Sequence, residues 1–473
     1  MSHDCDVLVV GLGPVGAALC ALLAREGVSA IAVERETEVY PLPRAAHFDH
    51  EIMRLFQKLG IAGEMQAASQ PAAAYEFRNA AGEILMRYDQ GAGGSPSGWA
   101  PGYMFHQPSL ETALRRLLSA SPLVEARLGR TLVAFTQDAD GVSATVDGPS
   151  GAETLRARWL VGCDGARSPV REALGIGQSD YGFDEPWLVI DAVVSDTSRL
   201  PADNLQICDP ARPTTCLVMS QGRHRWEFML LPGEQPADVL DGNVIRDLLK
   251  PWHCEDCVEI ERKAVYRFHG RVAERWRDGR VLLAGDAAHQ TPPFAGQGMC
   301  SGLRDVDNLA WKLAAVIRSG ADPVLLDSYQ TEREPHVRAV IELAIAMGRV
   351  VCISDPQQAA MRDAGMLAQR AAGRQPPALA APRIGPGLGQ GEVGGEYFPQ
   401  PWAGDLRLDD VLGEGPWLIV RDATGGALAP FADALTGWLD RHGAEAVLVR
   451  PDRYVFGVGP PAALQAAWAD RVG

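Results

Sequence analysis

The first apolar run, Asp6 to Val10, is short, valine-rich and stopped by Gly11. A stretch from Pro14 to Glu26 follows, with apolar residues at helical spacing, and then a second apolar run from Ala30 to Glu34. Short apolar runs bounded by glycine predict buried strands, and the longer periodic stretch predicts a helix, so the chain opens on a strand-helix-strand unit. A further short strand, Trp159 to Val161, runs into Gly162-Cys163-Asp164-Gly165. From Trp187 to Leu231 the pattern changes to short strands rich in Val, Ile, Phe and Trp, separated by Asp, Pro and Gly, which predicts an antiparallel sheet. The first pattern then returns: a strand from Val281 to Ala284, a glycine-rich loop and a helix from Leu303 to Ile317. The sheet is therefore read as an insertion into one discontinuous nucleotide-binding domain.

Residues 1–175 and 270–369 are assigned to that domain and residues 176–269 to the inserted sheet. The stretch 370–401, rich in Pro, Gly and Ala, is read as a linker. Strands from Trp417 to Arg421 and from Ala446 to Val449, around a helix from Phe431 to Arg441, make residues 402–473 a small terminal α/β domain.

Composition narrows the class. The 473 residues, 47% hydrophobic and 22% charged, suit a folded protein of two or three domains. A net charge of -16 opposes nucleic acid as a partner, and no Lys/Arg stripe offsets it locally. The apolar stretch Val337 to Ile353 is interrupted by Arg338, Glu342 and Arg349, so it predicts an amphipathic helix and no membrane span. The start lacks the basic region of a signal peptide, and nine scattered cysteines fit reduced thiols, so the expected location is the cytoplasm. Cys254 and Cys257 lack a second ligand pair; they are read as a plain loop, and no metal is expected.

Gly11-Leu12-Gly13-Pro14-Val15-Gly16 lies between a strand and a helix, with Glu34 ending the next strand. Glycines there permit a tight turn, let backbone N–H groups approach a pyrophosphate and allow close helix packing. A carboxylate at Glu34 can accept hydrogen bonds from ribose hydroxyls, so an FAD or NAD site follows. The same spacing at Gly389, Gly391 and Gly394 has no strand before it and is a false match. Farther on, Gly285-Asp286-Ala287-Ala288-His289 precedes Pro292-Pro293 and Gly296-Gln297-Gly298, then Asp305, Asn308, Trp311 and Lys312. An Asp at a strand end can hold a sugar-chain hydroxyl, and a glycine loop opening a helix presents N–H groups to developing negative charge.

The Gly11 turn, Cys163-Asp164-Gly165-Ala166-Arg167-Ser168 and Gly285-Asp286, in that order, resemble the three signatures of the class A flavoprotein aromatic hydroxylases, the para-hydroxybenzoate hydroxylase superfamily. The resemblance is closest to the 3-(3-hydroxyphenyl)propionate hydroxylases, through Pro43-Arg44-Ala45, Cys208 to Pro213, Arg225-Trp226-Glu227-Phe228-Met229, Pro232-Gly233-Glu234 and Arg450-Pro451-Asp452-Arg453. It implies a Rossmann-like FAD-binding domain, an inserted antiparallel sheet that binds substrate and a thioredoxin-like terminal domain. It also implies a monooxygenase in which NAD(P)H (NADH or NADPH) reduces FAD, O₂ adds to the flavin as a hydroperoxide, and oxygen passes to an electron-rich phenolic ring, as in aromatic catabolism. A flavoprotein oxidase or dehydrogenase acting on a small aromatic or polyketide-like substrate is the alternative.

By that resemblance Gly11, Gly13, Gly16, Glu34 and Arg35 bind the adenosine half of FAD, Arg44 and Gln107 contact the cofactor, and Asp286 holds the ribityl chain. Asp164 lies between FAD and the nicotinamide nucleotide. Pro293 and Gly296, Gln297 and Gly298 line the flavin ring where oxygen reacts. His47, following Arg44, is the candidate base for the phenol proton, and Tyr103, Trp226 and Phe228 are candidate pocket walls. The expected partners are a small phenol, O₂ and a second copy of the chain in a homodimer. Two departures stand out: the chain is shortened between Gly348 and Trp417, and it has no cysteine after Cys352, which excludes a dithiol function in the terminal domain.

Overall fold

The computed structural model describes residues 3–42, 44–89, 94–374, 376 and 381–472. Pro43 and part of the expected linker, at 375 and 377–380, lie outside the described residues. Five parallel strands make the heart of the first sheet. Cys5–Val10 sits between Ala30–Glu34 and Glu153–Gly162; Val124–Leu128 and Val281–Leu283 extend it on either side. Val7, Leu8 and Val9 are fully buried, because helices cover a parallel sheet on both faces and its strands become continuous apolar runs. A hairpin, Thr131–Gln137 and Val142–Asp147, pairs antiparallel onto Glu153–Gly162. Helices Pro14–Arg25 and Gly298–Ala314 pack against each other so closely that a Cβ at Gly302 would come within 2.6 Å of Val15.

The second sheet has eight strands, in the order His289–Gln290, Val258–Ala273, Gln178–Val194, Arg223–Met229, Thr214–Val218, Asn204–Cys208, Tyr75–Asn79 and Ile84–Tyr88. It is not confined to residues 176–269, since the hairpin 75–88 joins one end and 289–290 the other. Asn204–Cys208 pairs parallel with Tyr75–Asn79, so the sheet is mixed where an antiparallel one is expected. The hairpin escapes a search for apolar runs because charge interrupts it: Glu76 is ion-paired across the strands to Arg87.

The two faces of this sheet bury different cores. Leu188, Ile190, Leu205, Cys216, Trp226 and Phe228 form one with helix Gly242–Leu249; Trp187, Met229, Tyr75 and Phe77 join the main core with Phe183 and Phe294. Because side chains alternate along a strand, Arg225 and Glu227 share the second face with Met229.

Helix Asp327–Val351, with Pro335 inside it, precedes helix Pro356–Ala371, so the expected linker begins inside a helix. Its later part is packed rather than free. Gln390, Gly395 and Phe398 donate backbone hydrogen bonds to Phe456, Val455 and Arg453, at 2.6, 2.9 and 2.8 Å, and Phe398 and Gln400 are buried. The terminal unit is a three-stranded antiparallel sheet, Trp417–Val420, Ala446–Val449 and Val455–Gly459, flanked by helices Ala432–Arg441 and Pro461–Val472. Buried charges tie it to the nucleotide domain. Arg450 pairs with Glu332 at 2.7 Å, Lys312 bonds the same carboxylate at 2.7 Å, and Asp452 accepts from Asn308 and Trp311 at 3.0 and 3.2 Å. Burial holds Lys312 down at about 8, against the pull of Glu332. Cys254 and Cys257 close a turn through a 3.0 Å backbone bond. Among the described residues no helix is long and apolar enough to cross a membrane, and no group of three metal-ligating side chains occurs.

Candidate cofactor and substrate site

At the first glycine turn, Gly11 has φ +96°, and a Cβ there would lie 2.5 Å from the Cys163 carbonyl oxygen. A Cβ at Gly16 would lie 2.0 Å from the Gly11 oxygen, whereas one at Gly13 meets nothing within 4 Å. Gly11 and Gly16 let the chain approach itself, and Gly13 leaves open space in front of a helix start. Gly13 supplies no side-chain cap, so the first N–H groups of helix Pro14–Arg25 are free for an anion. Glu34 accepts from the backbone N–H groups of Leu12 and Glu36, at 2.7 and 3.0 Å, and stands at the edge of the turn. Arg35 is exposed and pairs with Glu36 at 3.3 Å. The residues therefore fit a dinucleotide: glycine cradle, free helix start and carboxylate for the ribose. Arg44 is exposed, and its backbone N–H and that of Ala45 both donate to Gln107 Oε1, at 3.0 and 2.7 Å. Gln107 thus shapes the Arg44 loop with its amide oxygen, and its Nε2 is taken by Glu111.

The Cys163-Asp164 segment runs directly beside the Gly11 turn. Asp164 Oδ2 accepts from Val170 N at 3.0 Å, while Oδ1 is shut off from solvent and has no partner; burial raises its pKa. Asp286 is exposed, directly after Gly285, whose φ is +62°. Asp305 holds this loop from behind. Its Oδ2 takes the Gly285 N–H at 3.1 Å and His289 Nε2 at 2.6 Å, and its Oδ1 takes Arg333 Nε at 3.0 Å.

Farther along the chain, the turn Pro293–Ala295 leads to Gly296, with φ +63°, then Gln297 and Gly298, which opens helix Gly298–Ala314. Gln297 Oε1 accepts from Arg304 Nη1 at 3.1 Å, and Arg304 is held by Asp49 and Glu51, each at 2.6 Å. His47 packs on this turn, with Nδ1 3.4 Å from the Gly296 carbonyl oxygen. A carbonyl only accepts, so in this bond Nδ1 carries the proton and Nε2 keeps its lone pair. Nε2 is sealed from solvent and has no hydrogen-bond partner among the described residues. Burial lowers the His47 pKa, which keeps the imidazole neutral at pH 7.

The three expected wall residues are not brought to His47. His47 and Met104 pair across their strands, as do Phe48 and Tyr103, so Tyr103 alternates to the other side. Its ring stacks on Phe48 at 5.1 Å, and its hydroxyl accepts from Ala100 N at 3.0 Å. Trp226 and Phe228 face the core under helix Gly242–Leu249, away from the nucleotide domain. The residues between them point the other way, and Arg225 Nη1 donates to the Arg44 carbonyl at 2.7 Å. On that inner face lies a row the aromatic motif does not suggest. Tyr75 Oη donates to the Phe294 carbonyl at 3.1 Å and accepts from Gln206 Nε2 at 2.6 Å; Gln206 Oε1 accepts from Thr215 Oγ1 at 2.8 Å; Thr215 pairs across its strand with Glu227. The signal was period-two placement of polar residues, Asn204, Gln206 and Thr215, in strands otherwise apolar.

The FAD binding domain family model matches residues 4–344, and the HcaD C-terminal domain model matches residues 427–472. The chain is 38% identical over 496 residues to a probable NADH-specific resorcinol 4-hydroxylase of Rhodococcus jostii, covering 97% of this chain and 92% of that one. It is 33% identical over 526 residues to a 3-(3-hydroxy-phenyl)propionate/3-hydroxycinnamic acid hydroxylase of Burkholderia vietnamiensis, covering 95% and 93%. Among solved structures, aklavinone-11 hydroxylase with FAD and aklavinone superposes with a TM-score of 0.82 at 26% identity, covering 100% of this chain and 99% of that one. The p-nitrophenol 4-monooxygenase of Pseudomonas putida gives 0.70 at 26%, covering 78% and 94%. The Gly11 turn, Glu34 and the Gly285-Asp286 loop thus lie inside a matched domain, and the protein belongs to the FAD-binding flavoprotein hydroxylases of the para-hydroxybenzoate hydroxylase type, FAD-dependent monooxygenases that draw electrons from NAD(P)H.

Proposed function

We propose that this enzyme hydroxylates a small phenol, with NADH as its reductant, in the overall reaction ArH + O₂ + NADH + H⁺ → ArOH + H₂O + NAD⁺. The observation that carries it is His47, whose unpartnered Nε2 lone pair sits beside the Gly296 turn. FAD, when bound, supplies the hydride acceptor and the oxygen activation. The chain supplies the rest. Gly11, Gly13 and Gly16 with the helix start receive the pyrophosphate, Glu34 and Arg35 the adenosine, Arg44 the cofactor on a loop set by Gln107, and Asp286 the ribityl hydroxyls. Pro293, Gly296, Gln297 and Gly298 form the floor at the flavin ring, and Asp164 lies where the nicotinamide nucleotide passes. His47 Nε2 accepts the proton of the ring hydroxyl and thereby raises the ring's nucleophilicity.

The relatives named for resorcinol and for 3-(3-hydroxy-phenyl)propionate support a phenol with a second substituent. Residues 402–473 are read as a thioredoxin-like unit without cysteines, serving assembly through Arg450 and Asp452. NADH and NADPH oxidation by the FAD-loaded enzyme, measured with a panel of phenols under ¹⁸O₂, tests the reading. A product carrying one ¹⁸O atom supports it; substrate oxidised without ¹⁸O, with all oxygen recovered as H₂O₂, marks an oxidase instead.

A further inference from the structure

Tyr75 opens the strand Tyr75–Asn79, and its hydroxyl reaches a turn 219 residues further along the chain. Its Oη donates to the Phe294 carbonyl at 3.1 Å. A carbonyl only accepts, so the Tyr75 proton lies in that bond and the Tyr75 oxygen accepts from Gln206 Nε2, at 2.6 Å. That orients the Gln206 amide, whose Oε1 takes the Thr215 hydroxyl at 2.8 Å. The row thus runs one way, from Thr215 to Phe294, and its bonds polarise one another. It passes through an amide and ends on a carbonyl, neither of which takes up and releases protons near neutral pH. Burial pushes the Tyr75 pKa up, so its hydroxyl stays protonated. Such a row holds a position and does not move a proton.

What it holds is the turn Pro293–Ala295, which the second sheet grips twice. The Phe294 ring meets Phe183 and Trp187, on strand Gln178–Val194, at 5.8 and 5.7 Å, and Phe268, on Val258–Ala273, at 6.1 Å. A Cβ at Gly348 would lie 2.8 Å from the same ring, so helix Asp327–Val351 closes this aromatic box. The Phe294 carbonyl is the second grip, taken by Tyr75. The chain then turns left-handed at Gly296, whose N–H bonds the Pro293 carbonyl at 2.8 Å, and opens helix Gly298–Ala314. His47 holds the Gly296 carbonyl from a separate strand, His47–Asp49, so its own place does not depend on Tyr75. Glycine is too permissive to fix such a path by itself. The Tyr75 bond sets the planar peptide between Phe294 and Ala295 from which the path departs.

We propose that Tyr75 is a positioning residue for hydroxylation: its hydroxyl fixes the Phe294 carbonyl, and with it the turn from Pro293 to Gly296, without exchanging a proton with the substrate. The proposal rests on the reading of that turn as the floor at the flavin ring of a phenol hydroxylase. There a small displacement matters, since a misplacement of about 1 Å can cost about 10²-fold in rate.

The test compares FAD-loaded wild type, Tyr75→Phe and Tyr88→Phe, with resorcinol and 3-(3-hydroxyphenyl)propionate as substrates. Tyr75→Phe removes one oxygen and keeps the ring beside Phe77 and Tyr88, at 5.2 and 6.5 Å; Tyr88→Phe removes a neighbouring hydroxyl as the control. Tyr75→Phe retains FAD and a nearly unchanged KM, but lowers kcat for product by about 10- to 100-fold, with the balance appearing as H₂O₂. The loss is the same from about pH 6 to about pH 9, because placement is missing and no proton is. Hydrogen exchange read by mass spectrometry speeds up about 2- to 10-fold across residues 291–298, the worth of one hydrogen bond, and nowhere far from them. Tyr88→Phe matches wild type in both measurements. A folded Tyr75→Phe that forms as much product per NADH as wild type overturns the proposal and leaves the hydroxylase reading intact. So does a loss that disappears as pH rises, which would make Tyr75 a proton carrier, or faster exchange throughout the chain, which would make it a general stabilising residue. A wild type that hydroxylates neither phenol overturns the hydroxylase reading, and the exchange comparison then decides by itself whether Tyr75 holds the turn.

Discussion

His289 and Asp305 are joined at 2.6 Å, Nε2 to Oδ2, across the loop that carries Asp286. Asp305 is fully buried; burial alone would raise its pKa, but His289 and Arg333 outweigh that and hold it below the usual carboxylate range. The stabilisation is therefore present above the unfolded value of about 3.9 and lost as pH falls through the lower folded one. Asp305→Ala leaves Arg333 and the Gly285 N–H without their acceptor. It should cost about 3–5 kcal/mol, the range for breaking a buried pair. Urea unfolding at pH 7 measures the cost, and FAD released by dilution reports the slackened Asp286 loop.

The three glycines of the first turn should respond differently to one methyl group. Gly16→Ala places a Cβ 2.0 Å from the Gly11 oxygen, so the helix must shift and the apoprotein itself loses stability. Gly13→Ala meets no protein atom within 4 Å and keeps an allowed φ of -68°, so the apoprotein Tm holds while FAD affinity falls. Thermal unfolding with and without FAD separates the two. Equal Tm loss in both apoproteins would mean the open space at Gly13 is not a ligand's.

His47→Ala should leave FAD content unchanged but lower product per NADH, with the balance appearing as H₂O₂. A phenol of pKa about 10 is ionised to roughly one part in a thousand at neutral pH, and general-base help is worth about 10²- to 10⁴-fold. Burial, the largest influence, lowers the His47 pKa, with Asp49 and Gly296 opposing and Arg304 assisting. The neutral base is thus already present at pH 7, and wild-type coupling should show no His47 limb above about pH 6.5. The variant's coupling should instead climb toward pH 9 as solvent ionises the phenol. Equal coupling in variant and wild type throughout would make His47 a packing residue.

Trp226→Ala should behave as a pure core deletion. The side chain is fully buried under helix Gly242–Leu249, on the face turned from His47. Truncating a buried Trp costs about 3–5 kcal/mol, to be read from denaturant unfolding. KM for the phenol and product per NADH in the folded fraction should match wild type; a changed KM would return Trp226 to the pocket.

The parallel sheet, the Gly11 turn, the Gly285-Asp286 loop and the helix after Gly298 were legible from the residues alone, because each is local: a buried strand shows as a continuous apolar run, and a turn needing close backbone approach shows as glycine. What no local pattern contains is which strand pairs with which, and which face meets which neighbour. Residues 75–88 join a sheet whose other strands begin a hundred residues later, through a parallel pairing with Asn204–Cys208 that no turn dictates. The motif Arg225-Trp226-Glu227-Phe228-Met229 reads most naturally through its aromatics. Period-two alternation guarantees that Trp226 and Glu227 face opposite ways, but only helix Gly242–Leu249, by covering one face, decides that the aromatics go to the core beneath it and Glu227 to the face it shares with Arg225 and Met229. The stretch 381–401 looks like a linker because Pro and Gly remove its periodicity. Its backbone is nonetheless bonded along the final strand, since strand pairing needs N–H and C=O groups and not apolar side chains.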